Sequence, residues 1–215
     1  MSEYKLLING ELVEGDTSLD IINPATGEAF TTVARASVAQ ADEAIAAAKA
    51  AAPLWAATSL EDRRKAVLAL ADAIAARSDE IARVMTAEQG KPLAEAQGEL
   101  AWTDGYLRHY CTLDLPDRVI QDDENGFIEV RHMPLGVVVG IIAWNFPLLV
   151  ACWKIGPAVL AGNTIVLKPA PTTPATALLL GEICKDIFPA GVINIIADDN
   201  DLGPHLTAHP DVSKV

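Results

Sequence analysis

The chain has 215 residues, of which 16 are Lys or Arg and 29 are Asp or Glu, so its formal net charge is −13 at pH 7. That balance disfavours a nucleic-acid binder, whose affinity comes from clustered cations that neutralise phosphates, and it equally disfavours attachment to an anionic membrane surface. With 51% hydrophobic and 21% charged residues, the composition is that of a packed globular protein, long enough for one or two domains.

The first stretch, to about Arg35, reads as β-rich. Leu6-Leu-Ile8 and Leu12-Val13 flank Asn9-Gly10, a hairpin signal, and Asp20-Ile-Ile-Asn23 leads into the turn Pro24-Ala-Thr-Gly27. From about Ser37 to Thr112 the pattern is helical. Ser37 with Gln40, and Thr58 with Glu61, have capping-box spacing. The Ala-rich run 41–52 is expected to stop at Pro53. A third helix over about 78–89 closes at Gly90 and Pro92, and a fourth covers about 93–110. Val119-Ile-Gln and Gly126-Phe-Ile-Glu-Val-Arg131 then flank an acidic turn, 122–125, as a surface hairpin suited to strand addition.

Residues 133–153 carry no charge, which raises a transmembrane helix. Gly136, Gly140, Asn145 and Pro147 interrupt the run, and 136–142 is rich in β-branched residues. The better reading is a buried strand (137–142), a turn at Trp144-Asn-Phe-Pro147 and a helix (148–160). Strand 164–167, helix 174–187 and strand 192–196 follow. Strands alternating with helices through short connections predict an α/β fold with a parallel sheet and right-handed crossovers. Ligands of such sheets sit at the carboxyl ends of the strands, which directs attention to 143–147 and 168–174.

Asn145 stands at one such end. Its amide can donate to a developing oxyanion, or it can be an ordinary turn or N-cap residue. Lys168 ends an otherwise apolar strand, where it suits a phosphate or ribose hydroxyl, or snorkels to water. Lys154 lies among apolar residues of the following helix and is either a desolvated amine or a solvent-facing one. Cys111, Cys152 and Cys184 form no CxxC pair and read as structural, reduced thiols. With no apolar leader in residues 1–5, this points to a cytoplasmic protein. GxGxxG, GxxxxGK[ST] and GxSxG are absent, no His/Cys cluster has metal-ligand spacing, so a structural zinc site is not expected, and no metal is expected.

Several motifs together carry a specific resemblance. Pro134-Leu-Gly-Val-Val-Val-Gly-Ile-Ile-Ala-Trp-Asn-Phe-Pro147, Lys154-Ile-Gly-Pro-Ala-Val-Leu-Ala-Gly-Asn-Thr-Ile-Val-Leu-Lys-Pro169, Phe188-Pro-Ala-Gly-Val-Ile-Asn194, Asn23-Pro-Ala-Thr-Gly27 and Glu88-Gln-Gly-Lys-Pro-Leu93 resemble the NAD(P)-dependent aldehyde dehydrogenase superfamily. The resemblance runs along essentially the whole chain. It implies a partial Rossmann-type sheet with flanking helices, an N-terminal β segment and a projecting hairpin arm. It implies oxidation of an aldehyde to a carboxylic acid with NAD or NADP. Asn145 would donate to the thiohemiacetal oxyanion, and Lys154 matches a position marked as a charge relay in some members. Ile142, Ala143 and Trp144 would line the nicotinamide side of the cleft with Asn145. Lys168, Ala170, Pro171 and Gly203 would lie along the adenosine side.

The chain also departs from the family pattern. Pro171 stands where many NAD-preferring members have a ribose-binding Glu. Ala197-Asp-Asp-Asn200 places acids where glycines are frequent, which is expected to repel a phosphate. Val212-Ser-Lys-Val215 resembles the start of the next strand, and in the family the general-base Glu, the nucleophilic Cys and the catalytic domain come after it. The expected organisation is therefore 1–117 as N-terminal strands and helices, 118–135 as an oligomerisation arm, and 136–215 as an incomplete βαβαβ cofactor-binding part. Without a nucleophile the chain alone is expected to be inactive. Its expected partners are the aldehyde and either further copies of itself or a separate C-terminal catalytic half. The alternatives are a non-catalytic interaction subunit and a truncated gene product.

Overall fold

The computed structural model describes residues 4–114 and 116–215. Of the N-terminal residues used above to argue against a leader, 1–3 lie outside the described residues. Asn9 and Gly10 have φ of 52° and 78°, the left-handed region that a tight hairpin turn requires. They join β1 (Leu6–Ile8) to β2 (Glu11–Val13). The turn before Gly27 joins β3 (Thr17–Asn23) to β4 (Glu28–Arg35) in a separate two-stranded sheet.

The helices begin with α1 (Val38–Ala57), whose Ser37–Gln40 capping box is formed as expected. This helix does not stop at Pro53 but runs through it. Pro53 is on the exposed side, while Trp55 is 4% exposed and its Nε1 donates to the Val159 carbonyl at 3.0 Å. Burying that indole outweighs the one helical hydrogen bond that proline removes. The next cap also differs from expectation. Thr58 donates its hydroxyl back to Leu54, so Ser59 caps α2 (Leu60–Ala76) by accepting from the Asp62 N–H. Then come α3 (Ser78–Gln89), closed by Gly90 at φ 87°, and α4 (Leu93–Tyr110). The hairpin of β5 (Arg118–Asp123) and β6 (Gly126–Val130) has a longer first strand, a second strand that stops one residue earlier, and a tighter turn than the sequence suggested.

The remaining elements alternate: β7 (Val137–Ile141), α5 (Pro147–Leu160), β8 (Thr164–Lys168), α6 (Ala175–Lys185), β9 (Ile193–Ile195) and α7 (Gly203–Ala208). The uncharged run is thus strand, turn and helix, and among the described residues no helix is long and apolar enough to cross a membrane. The sheet order is β2-β1-β9-β8-β7. β7, β8 and β9 pair in parallel, with Val139 opposite Val166 and Leu167 opposite Ile195. β1 joins β9 in antiparallel sense, Leu7 opposite Ile195, so the sheet is mixed rather than purely parallel.

Every residue of β8 is buried, as a strand covered on both faces must be. α1 packs on β1, β7, β8 and β9, while α5 and α6 pack on the same sheet from the other side and carry α2, α3 and α4 outside them. After β9 the chain passes through α7, which lies beside α1, and returns next to β7: Val139 N–H donates to the Lys214 carbonyl at 2.8 Å. The strand order therefore reverses at β7. One neighbour is reached through α5 on one face and the other through α7 on the opposite face. Such a reversal opens a crevice at the carboxyl end of the sheet.

Gly191, in the turn before β9, has φ 80°, and a Cβ there would lie 2.5 Å from the Ala47 carbonyl oxygen. Gly191→Ala is expected to destabilise the fold by more than about 1 kcal/mol, from backbone strain added to the clash with α1. Urea denaturation read by circular dichroism measures it.

Candidate functional site at the carboxyl ends of the central strands

Ile142 continues the line of β7 for one residue, donating its N–H to the Lys168 carbonyl at 3.0 Å. It is buried, whereas Ala143, Trp144 and Asn145, which follow it at the strand tip, are exposed. Phe146, not Asn145, occupies the N-cap position of α5, and Pro147 opens the helix. The capping role left open for Asn145 is therefore not the one it plays. Its carbonyl accepts from Lys91 Nζ at 2.9 Å, and among the described residues its carboxamide has no protein partner.

The first N–H groups of α5 are held from elsewhere. Glu99 of α4, fully buried, accepts with Oε1 from Leu148 and Leu149 at 2.9 and 3.0 Å. Its other oxygen pairs with Lys91, whose ammonium also sits 4.5 Å from the Phe146 ring centre. The arrangement repeats one helix further on. Glu88 of α3 accepts from Ala175 at 2.7 Å and Thr176 at 3.0 Å, the first N–H groups of α6. α5 and α6, the helices that follow the β7 and β8 tips, are thus each capped by a buried carboxylate from the outer helical layer. Sequence reasoning missed both. The available signal was a glutamate on a buried helical face: Glu88 lies three residues after Met85, and Glu99 three after Ala96 and four before Thr103. Burial, aided by the nearby charge of Glu99, pushes the Glu88 carboxyl up from 4.5 to about 7 against the pull of its hydrogen bonds.

Lys168 is opposite Ile141 in the register, so its strand tip adjoins that of β7. Its side chain neither snorkels nor stands free. It is 2% exposed, and Nζ donates to Asp198 Oδ1 at 2.6 Å and to the Pro169 carbonyl at 3.3 Å. Asp198 also accepts from the Leu202 N–H at 2.8 Å. The acid expected to repel a phosphate instead compensates the lysine. Asp199 and Asp201 lie 3.8 and 3.0 Å from the Arg35 guanidinium.

Ala170 and Pro171 are half-buried in the loop after β8. Gly203 opens α7, and a Cβ there would meet nothing within 4 Å, so packing within the chain does not require glycine. Lys154 is not brought to the crevice. It is exposed on α5 and lines a separate groove of about 340 Å³ along the outer edge of β7, with Gly140, Ile141, Trp153 and Lys214. A cleft of about 410 Å³ includes Trp144 and Pro171, but its other walls come from Asp20–Ile22 and Glu88–Gln89. Asn145, Lys168 and Gly203 do not line it, so it adjoins the strand-tip crevice without being that crevice. Cys152 and Cys184 are buried and Cys111 is half-buried. Burial raises all of their thiol pKa values, and none has the character of an activated thiolate.

Residues 12–215 match the aldehyde dehydrogenase family. The structure is similar to an NADP-dependent enzyme of Escherichia coli, at 34% identity over 98% of this chain and 45% of the other, with a TM-score of 0.94. It is similar to betaine aldehyde dehydrogenase of Staphylococcus aureus, solved with NAD+, at 32% identity over 99% of this chain and 45% of the other, TM-score 0.94. A variant aldehyde dehydrogenase of Bacillus cereus matches at 34% identity over 98% and 45%, TM-score 0.93. The chain thus spans about 45% of the length of the solved structures it matches.

Two outcomes are expected from these buried groups. Glu88 has a raised folded pKa, so its protonated form is the one folding favours. The corresponding stability is present below about pH 4.5 and is lost as pH rises through about 7. Across that window Glu88→Gln should gain on the parent by up to about 1.4 kcal/mol per pH unit, and urea midpoints that keep a constant difference would refute this. Lys168→Met strands the Asp198 carboxylate in the interior and should cost about 3–5 kcal/mol. Adding Asp198→Asn should recover much of that loss in the same denaturation assay.

Proposed function

The chain belongs to the aldehyde dehydrogenase family, and from that premise we propose that it forms the cofactor side of an NAD(P)+-dependent oxidation of an aldehyde to a carboxylic acid. The observation that carries this reading is the reversal of strand order at β7, which opens at Ile142–Asn145. The unpartnered Asn145 carboxamide, the exposed backbone of 143–145 and the open space over Gly203 fit a dinucleotide laid across the strand tips. NAD(P)+, when bound, supplies the hydride acceptor.

The chain's own residues act as follows in this reading. Ile142 forms the floor of the crevice, and Ala143 and Trp144 form its nicotinamide-side wall. Asn145 donates an amide N–H to the aldehyde oxygen as that oxygen becomes negative under thiolate attack. A fixed donor of this kind contributes about 3 kcal/mol to the barrier. Lys91 and Glu99 hold the Asn145 carbonyl and the start of α5, so the donor is aimed before substrate arrives. Lys168, Ala170, Pro171 and Gly203 face the adenosine half. Pairing with Asp198 neutralises Lys168 and lowers what a 2′-phosphate would gain there, which favours NAD over NADP. Lys154, set apart in its own groove, takes no part in this step.

Because the three thiols of these 215 residues are shielded, the attacking thiolate comes from outside them. This supports pairing with a catalytic part beside the end of β7, where Ile141 and Trp153 lie open. In this reading 1–117 and 136–215 form the cofactor-binding unit. Residues 118–135 form an arm for oligomerisation, consistent with the exposed Val119, Ile120, Phe127 and Ile128. The same surfaces would serve a non-catalytic interaction subunit. The reading places the protein in the cytoplasm.

Titration of the isotope-labelled chain with NAD+ and NADP+ tests the proposal. NAD+ is expected to shift the resonances of 142–145, 168 and 203 at lower concentration than NADP+, and the chain alone should produce no aldehyde-dependent NAD(P)H. If neither dinucleotide perturbs those residues, the assignment of the crevice fails.

A further inference from the structure

Away from the crevice, α7 carries His205, and its C-cap is His209, one helical turn later. Both imidazoles turn toward Asp42 in the first turns of α1. His205 Nε2 is 2.6 Å and His209 Nε2 is 3.5 Å from the same oxygen, Asp42 Oδ1. The ligating atoms of all three residues lie within 4.8 Å of one another, and the two rings are 5.7 Å apart between centres. We propose that Asp42, His205 and His209 form a binding site for a divalent transition-metal ion of the zinc class, clamping α7 to α1.

The geometry is close to what such an ion needs. Nitrogen and oxygen ligands about 2.0–2.1 Å from a tetrahedral ion are separated from each other by roughly 3.4 Å. The His209–Asp42 separation is already 3.5 Å, and the His205–Asp42 pair needs to open by less than an ångström from 2.6 Å. One carboxylate and two imidazoles from two separate elements match the ligand types of zinc-like ions, with a fourth position left for water. The side chains of His205, His209 and Asp42 are 32%, 16% and 49% exposed, which leaves an entry path and room for that water. A net charge of −13 raises the local concentration of any dication.

The ion displaces one local interaction. The Asp211 N–H donates to His209 Nδ1 at 3.1 Å, and coordination through Nε2 puts a proton on Nδ1, so that bond is given up. The Asp211 side chain is held elsewhere, by Lys49 Nζ at 2.6 Å. Sequence reasoning passed over the spacing His205-x-x-x-His209. What hid the site was the third ligand, Asp42, which lies 163 residues from His205. The sequence expectation of no metal gives way here to a proposed site, which does not depend on the redox reading.

The test uses the purified chain and the metal alone. Zn2+ titrated by calorimetry is expected to bind with one-to-one stoichiometry, and Co2+ should give the visible absorption of a low-coordinate N/O site. The thermal midpoint should rise by roughly 5 °C or more at saturating Zn2+, and a chelator should reverse it. His205→Ala, His209→Ala and Asp42→Asn should each weaken binding by at least about tenfold. The double variant His109→Gln, His132→Gln should bind as the parent does. Circular dichroism confirms folding, and His209→Gln serves if an alanine variant misfolds. Absence of Zn2+ and Co2+ binding, or binding unchanged in His205→Ala and His209→Ala, would show a hydrogen-bonded cluster only and overturn the proposal.

Discussion

Two buried carboxylates fix the geometry of this molecule. Glu88 and Glu99 reach inward from α3 and α4 to take the leading N–H groups of α6 and α5. An α-helix leaves its first N–H groups without partners, and here those ends are buried where water cannot serve them. An uncapped buried donor costs more than a formed hydrogen bond gains, so the outer helices become obligatory parts of the α/β core. The two glutamates differ in how they are sustained. Glu99 has Lys91 as a counter-charge, while Glu88 has hydrogen bonds alone and is pushed toward protonation by its burial. The same Lys91 reaches the Asn145 carbonyl, so the group that stabilises a buried acid also sets the loop carrying the candidate oxyanion donor.

Strand order then decides where that loop opens. β7 has β8 on one side and the 213–214 segment on the other, reached over opposite faces of the sheet. The two connections diverge, and the space between them is the crevice. Gly140 on β7 lets α5 approach: a Cβ there would lie 2.9 Å from the Leu167 side chain and 3.2 Å from Lys154 Cβ. This packing fixes Lys154 along the strand rather than at its tip, which is why a lysine so near Asn145 in sequence does not meet it.

Most of the fold was legible because local rules and tertiary packing agree along most of the chain. The Asn9-Gly10 hairpin, the Ser37–Gln40 box, the left-handed Gly90 and the strand–helix alternation after Gly136 all form where their chemistry points. The larger misreadings share a cause, namely partners remote in sequence. Pro53 fails to end α1 because Trp55 finds Val159. Thr58 is a local exception: its hydroxyl turns back to Leu54, four residues away, which moves the next cap to Ser59. Asn145 and Lys168 were identified from strand ends. Glu88, Glu99 and Lys91 were not, because the helix ends that the two glutamates cap lie far away in sequence.

Lys168 shows the same principle most sharply. An ammonium at the tip of a buried strand cannot remain unpaired in a dry interior. The chain could satisfy it with a bound ligand or with a residue of its own, and Asp198 supplies the second solution. That choice shapes the loop before α7, since Asp198 also takes the Leu202 N–H, while Arg35 draws Asp199 and Asp201 outward. The acidic run therefore divides its labour: one carboxylate turns inward to the lysine and two turn outward to an arginine. A lysine already neutralised in this way presents a shared proton donor more than net charge at the strand tip.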